Sequence, residues 1–441
     1  MIYCMLILCN INVIVCIRSA ALFHLKHYKE CLRDIELAVE CGYPETTRYK
    51  LFERQGSVYL ALGNTSEAMM SFDKALENLL AAGLSPKATA TWQANIGKQM
   101  EKCRKGSVKP ASGKDSEGTK MIVPALTGEP NEKYPNASVS VKVRYEVGRG
   151  RHTFADRDVK VGDILMSEMP FTAIMLPGEY SSKHCHQCFA ATEVPVPCCR
   201  CSSVLFCSRA CRDKAWQKYH WAECSFGELL KPSMCAKIGH LAARLLMCQD
   251  IESVLSYVKS TAAGNIQPEQ CGLTDEGVYN CSSYDSVYHL VTGTKLRNSQ
   301  DLLEFTVLAC VLVKIMIASG FLKQIAESAA DLELIGGVVL HHLQLTQCNA
   351  LRIIELTRPT KFDEPKPEPV GIGLYPTVSL INHSCDPNAD LTFYGDSVVV
   401  RAIRNIAEGE EICISYGPLF YEVKQRARHS QLKGVYFFNC K

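Results

Sequence analysis

The chain has 441 residues, 47% of them apolar and 21% charged, with a formal net charge of +2. That leaves room for two to four domains at roughly 100–200 residues each, and it excludes disordered, collagen-like and strongly polyionic proteins. No dense run of Lys and Arg offers the electrostatic footprint of a nucleic-acid binder, so no direct nucleic-acid partner is expected.

Met1 to Ile17 is largely apolar. It lacks the basic start and the small-residue cleavage site of a signal peptide, and it is short for a membrane span. It runs into a helical pattern, so it reads as part of a buried helix or as an atypical start, with no membrane role. The triplets Asn64-Thr65-Ser66 and Asn382-His383-Ser384 are then incidental as glycosylation signals.

Residues 19–104 carry an internal echo. Leu22-Phe23-His24-Leu25, followed by Tyr28, Cys31, Ile35 and Ala38, returns as Tyr59-Leu60-Ala61-Leu62, followed by Thr65, Ala68, Phe72 and Ala75. The offset is close to the roughly 34-residue period of tetratricopeptide repeats. Ala68 and Ala75 are small enough for close helix approach, Pro44 closes the first unit and Gly63 turns inside the second. An amphipathic helix from about Ala88 to Cys103 follows. A plain helical bundle remains the alternative.

From 105 to 137 the composition shifts to Gly, Ser, Lys and Pro, which reads as a linker. Segment 138–184 opens with strand-like alternation at Val139, Val141, Val143 and Tyr145, then Gly148-Arg149-Gly150. A helical region from about 228 to 355, most of it an insertion over 225–345, holds Phe305 to Ile317 as a buried helix. His341 and His342 sit on an apolar helix and read as satisfied core residues. Segment 346–430 is short strands and loops, and 431–441 begins a further segment.

The chain has 23 cysteines, eight of them between Cys185 and Cys224. They fall as Cys185-x2-Cys188, Cys198-x2-Cys201, Cys207-x3-Cys211 and His220-x3-Cys224. Pairs two to four residues apart chelate without strain, and four pairs make two closed tetrahedral zinc sites. Such sites are structural, supply the folding energy a short segment lacks, and belong in a reducing compartment. Cytoplasm and nucleus are therefore expected. Cys199 is left as a spare.

This block, with its Phe206-Cys207-Ser208 turn and Trp216-x3-His220 helix, resembles a MYND zinc finger. The resemblance implies interleaved ligands: Cys185, Cys188, Cys207 and Cys211 on one Zn2+, and Cys198, Cys201, His220 and Cys224 on the other. Gly371-Ile372-Gly373-Leu374-Tyr375-Pro376, then Ser379-Leu380-Ile381-Asn382-His383-Ser384-Cys385-Asp386-Pro387-Asn388, then Gly409-Glu410-Glu411-Ile412 and Ser415-Tyr416-Gly417 resemble the two SET-domain motifs in order. Together they resemble the SET-and-MYND family of lysine methyltransferases, in the branch where helical repeats precede the SET domain.

The resemblance implies an S-adenosylmethionine cofactor and a protein lysine substrate, histone or otherwise. It implies that Val147, Gly148 and Arg149 form a first cofactor loop, that Asn349, Asn382 and His383 contact the cofactor, and that Tyr436 and Phe438 wall it. Tyr416 is the implied catalytic residue, orienting methyl group and amine; from the residues alone it is a tyrosine at a strand end. Phe437 reads equally as a hydrophobic anchor. The resemblance also implies transcriptional co-repressors as partners of the finger. A third family zinc would use Cys385 with three later cysteines, of which Cys440 alone is present before the last residue, so that site stays short of ligands. Either the sequence is a fragment or the channel is incompletely walled.

The expected architecture is α+β: helical repeats over 19–104, and a β-rich SET core at 138–184 and 346–430. The finger at 185–224 and the helical insertion split that core. Two functions compete, a lysine methyltransferase and a non-catalytic scaffold that recruits partners through the finger and the repeats.

Overall fold

The computed structural model describes residues 2–105, 121–201, 203–230, 235–264, 267–357 and 364–440. They form two compact units, one of Met1–Thr119 with Thr192–Ser208, the other of Lys120–Ala191 with Arg209–Lys441.

In the first unit, helices α1 (Ile2–His24), α2 (Tyr28–Glu40), α3 (Tyr49–Ala61), α4 (Thr65–Leu80) and α5 (Pro86–Lys105) follow one another. The echo read from the sequence is a pair of helical hairpins, α1–α2 and α3–α4. Lys26 and Gly63 occupy the same place in the two turns, with φ of 65° and 83°. In each turn the next amide repeats the pattern, His27 N–H to the Leu22 carbonyl and Asn64 N–H to the Tyr59 carbonyl. Ala68, Ala75, Phe72 and Ile96 are fully buried in one cluster, and the ring of Phe72 fills the space a side chain at Gly56 would need.

The apolar start is helix. Ile11, Val15 and Cys16 are buried, and among the described residues no helix is long and apolar enough to cross a membrane. Arg18 forms a bidentate pair with Asp34 at 2.6 and 2.8 Å, joining α1 to α2.

The second unit is built on short sheets. Strands β1 (Val141–Glu146) and β2 (Gly150–Ala155) pair antiparallel, and β3 (Ile164–Glu168) and β4 (Thr172–Met175) follow. The finger contributes the hairpin β5 (Val196–Pro197) and β6 (Leu205–Phe206), which belongs to the first unit, and then α6 (Arg209–Ala215) and α7 (Trp221–Glu223). The insertion holds α8 (His240–Met247), α9 (Ile251–Ala263), α10 (Tyr284–Tyr288), α11 (Ser299–Ala318) and α12 (Ala329–Asn349). Strands β7 (Leu351–Thr357), β8 (Lys366–Leu374), β9 (Asn382–His383), β10 (Ala389–Tyr394), β11 (Ser397–Ala402) and β12 (Glu411–Ile414) precede α13 (Gln425–Tyr436). The sheets run β1-β2-β12-β9, β10-β11-β3 and β4-β8-β7.

Four expectations need correction. Part of the linker is core: Tyr134 and Ala137 are buried with the strands of the second unit, and Thr127 N–H reaches the Ile164 carbonyl. Residues 106–120 of that linker lie outside the described residues. The α11 helix is buried on one face only. Leu308, Leu312 and Met316 point inward while Leu303, Val307 and Val311 are exposed, on the side that also carries the exposed Glu304 and Lys314. The helical region stops at Asn349, where β-branched Ile353 and Ile354 continue as strand. The boundary expected at 431 falls inside α13 and so cuts one continuous helix.

Candidate cofactor and catalytic site

One sheet gathers three distant stretches. Strand β12 lies antiparallel to β2, with Glu411 opposite Phe154, and parallel to β9, with Cys413 beside Asn382 and Ile414 beside His383. The turn Val147–Arg149, which leads into β2, therefore comes to the same edge as the Asn382-His383 loop. Val147 and Gly148 are exposed, and Gly148 has φ +87 with open space where a side chain would stand. A left-handed turn of this kind favours glycine.

Glu411 joins the two loops. Its Oε2 pairs with Arg149 at 2.5 Å, while Asn382 Nδ2 donates to its Oε1 at 3.1 Å. The bond to Glu411 raises the Arg149 pKa above its ordinary value. Asn388, 2% exposed, latches the loop behind, accepting from Cys413 N–H at 2.8 Å and donating to the Glu411 carbonyl at 2.8 Å. Neither Glu411 nor Asn388 was read as a site residue, although both stand inside the quoted motifs.

His383 accepts at Nδ1 from Tyr416 N–H at 2.9 Å. Its Nε2 then carries the proton and faces Cys385 Sγ at 3.2 Å. Burial, then the Arg428 charge, pull its pKa down to about 4. The Tyr416 hydroxyl donates to the Ile381 carbonyl at 2.6 Å, and burial pushes its pKa up. Around it stand the rings of His383, Tyr436 and Phe438, with centroids 5.3, 4.9 and 6.3 Å from that of Tyr416. Tyr436 Oη donates to the Tyr416 carbonyl at 3.3 Å.

Phe437 is an anchor: its ring packs where a side chain at Gly293 would stand and lies 5.0 Å from the Arg297 guanidinium. Asn349 caps the insertion, its Nδ2 donating to the Val291 and Leu345 carbonyls at 2.7 Å each. His341 and His342 are bonded in the insertion, to the Tyr288 carbonyl at 2.8 Å and the Tyr284 hydroxyl at 2.7 Å.

The metal-type donors also assemble. Cys185, Cys188, Cys207 and Cys211 form one group and Cys198, Cys201, His220 and Cys224 another, with all donor atoms of a group within 4.8 Å of one another. Four soft donors per group suit Zn2+ in a closed site. His383, Cys385 and Cys440 make a third group. Its histidine was not among the ligands expected there.

The SET domain model matches residues 150–417. The chain belongs to the SET-domain family. Among curated relatives, the protein-lysine N-methyltransferase SMYD4 of Mus musculus is 28% identical over 96% of this chain and 60% of its own length. The Homo sapiens SMYD4 is 28% identical over 98% of the chain and 61% of its own length. The histone-lysine N-methyltransferase ASHR1 of Arabidopsis thaliana is 30% identical over 66% of the chain and 52% of its own. The resemblance to the SET-and-MYND family, most like its member four, is thus borne out. This SET-domain chain spans about three fifths of the length of the member-four relatives it matches.

Proposed function

We propose that this chain is an S-adenosylmethionine-dependent protein-lysine N-methyltransferase, acting on histone or other proteins in transcriptional regulation, in cytoplasm and nucleus. The observation that carries it is the convergence of Arg149, Asn382, His383 and Tyr416 on one sheet edge, beside an aromatic rim.

The donor set suits that cofactor. Arg149 and the Asn382 amide offer a cation and a hydrogen-bonding group for an amino-acid end, and Tyr416, Tyr436 and Phe438 offer ring faces that favour a cation. When bound, the cofactor supplies a methyl group on a positively charged sulfur. Tyr416 does not act as a base: its raised pKa keeps the phenol protonated at neutral pH. Its oxygen can still accept while its proton is held by the Ile381 carbonyl. The lysine must then arrive neutral, which a dry aromatic setting promotes by disfavouring the ammonium form.

The two four-donor groups would each hold one structural Zn2+. They would fix a docking surface for protein partners such as co-repressors, together with tetratricopeptide-like hairpins.

Titration calorimetry of S-adenosylmethionine into the zinc-loaded chain tests the reading. Saturable one-to-one binding, abolished in Asn382→Ala, is expected, followed by methyl transfer to lysine peptides. No binding, in a chain whose metal content is complete, refutes it.

A further inference from the structure

Glu168 ends β3 and is 2% exposed. Its carboxylate accepts from two successive backbone amides, Thr377 N–H at 2.9 Å and Val378 N–H at 3.0 Å. Those amides open the turn Val378–Leu380 that leads through Ile381 into Asn382 and His383. At the other end of this short segment the Tyr416 hydroxyl holds the Ile381 carbonyl at 2.6 Å. The cofactor loop is therefore pinned twice, once by Tyr416 and once by Glu168.

A buried carboxylate held only by neutral donors is costly, and a well-packed apolar side chain serves a core better. What a carboxylate alone provides is two equivalent acceptors at one point, matched to two consecutive N–H groups. We infer that Glu168 is a positioning residue for the cofactor: its ionised carboxylate sets the Asn382-His383 loop, and its protonation loosens that loop. The inference rests on the reading that this loop binds S-adenosylmethionine.

The environment makes this conditional on pH. Burial pushes the Glu168 carboxyl up to about 7, so its charge changes across the neutral range. Protonation turns a hydroxyl toward one of the two amides and releases it. The titratable groups facing it are Cys281 and Tyr279, from the segment before α10, and Tyr375, at the end of β8. Burial raises all three above their ordinary values, so they stay protonated where Glu168 titrates.

The test is the affinity of the full zinc-loaded chain for S-adenosylhomocysteine, measured by calorimetry from about pH 8 to about pH 6. The ionised fraction of a carboxyl with pKa near 7 falls about tenfold in reaching the lower limit, and wild-type affinity should weaken by up to about tenfold. Glu168→Gln should bind about tenfold more weakly at pH 8 and show no step. Tyr375→Phe, which removes the buried bond from Tyr375 Oη to the Asp396 carbonyl at 2.6 Å, should lower thermal stability yet keep the step.

A step retained in Glu168→Gln, or absent from a wild type that binds, overturns the inference while leaving the cofactor reading intact. A wild type that binds at no pH overturns both. If Glu168→Gln does not fold, Cys281→Ala decides. The Cys281 thiol faces the carboxylate and lowers its pKa, so losing it should move the midpoint upward, and an unmoved midpoint overturns the inference.

Discussion

At the residue scale, Glu411 illustrates how a site is assembled from charges that are remote in sequence. It bonds to both Arg149 and Asn382, so Glu411→Gln should release the guanidinium and weaken cofactor binding. An exposed ion pair of this kind contributes about 0.2–1 kcal/mol, which corresponds to a Kd rise of up to about fivefold, readable by calorimetry. Tyr416→Phe should behave differently. It loses the hydroxyl but keeps the ring contacts with Tyr436 and Phe438. Cofactor affinity should change several-fold, while the single-turnover methylation rate falls by about 10²-fold, as when one oriented polar group is lost from an active site.

The motifs made Asn382, His383 and Tyr416 readable because each falls in a short stretch of tightly constrained residues. Glu411 stood in the same stretch, but only the pairing of β12 with β2 and β9 revealed which charges it faces. Asn349 matched a pattern too, and the structure shows its Nδ2 donating to the Val291 and Leu345 carbonyls.

At the element scale, the helical hairpins show how a repeat becomes geometry. Lys26 takes a left-handed conformation at the turn position that Gly63 fills in the second hairpin. A non-glycine residue pays about 1–2 kcal/mol there, so Lys26→Gly should raise the thermal midpoint, while Gly63→Lys lowers it. Gly56→Ala should destabilise α3–α4 by about 1–3 kcal/mol, the usual penalty of overpacking, because a Cβ would stand 2.6 Å from the Phe72 ring. Denaturant unfolding followed by circular dichroism measures both effects. The apolar periodicity of α2 and α4 was legible; the outer face of α11 was less so, since apolar Leu303, Val307 and Val311 share it with Glu304 and Lys314.

At the scale of the whole molecule, elements far apart in sequence are held by a few buried polar groups. In the second unit, Arg244 on α8 pairs with Glu223 of α7 at 2.6 Å, donates to the Ala173 carbonyl of β4 at 2.6 Å and stacks 3.9 Å over Tyr219. Arg244→Ala strands a buried carboxylate and should cost about 3–5 kcal/mol, read as a lower midpoint in urea. Metal is the second long-range constraint. A chelator should strip the two four-donor groups and unfold the 185–224 segment. Native mass spectrometry, with proteolysis before and after chelation, checks the metal count and the loss of protection.

The amino-acid sequence by itself determined the local chemistry. Spacing marked four metal-ligand pairs, which the family resemblance sorted into two groups, the echo from Leu22 to Tyr59 marked the hairpins, and the two motifs near Asn382 and Tyr416 marked the family. Each of these is written in neighbours along the chain, where spacing and residue type suffice. The tertiary structure alone decided that Glu411 bridges Arg149 and Asn382, that Glu168 grips the turn before Asn382 from another strand, that Tyr134 of the expected linker is core, and that His383 joins Cys385 and Cys440. These depend on strand register and on burial, and both are set by which elements meet in space.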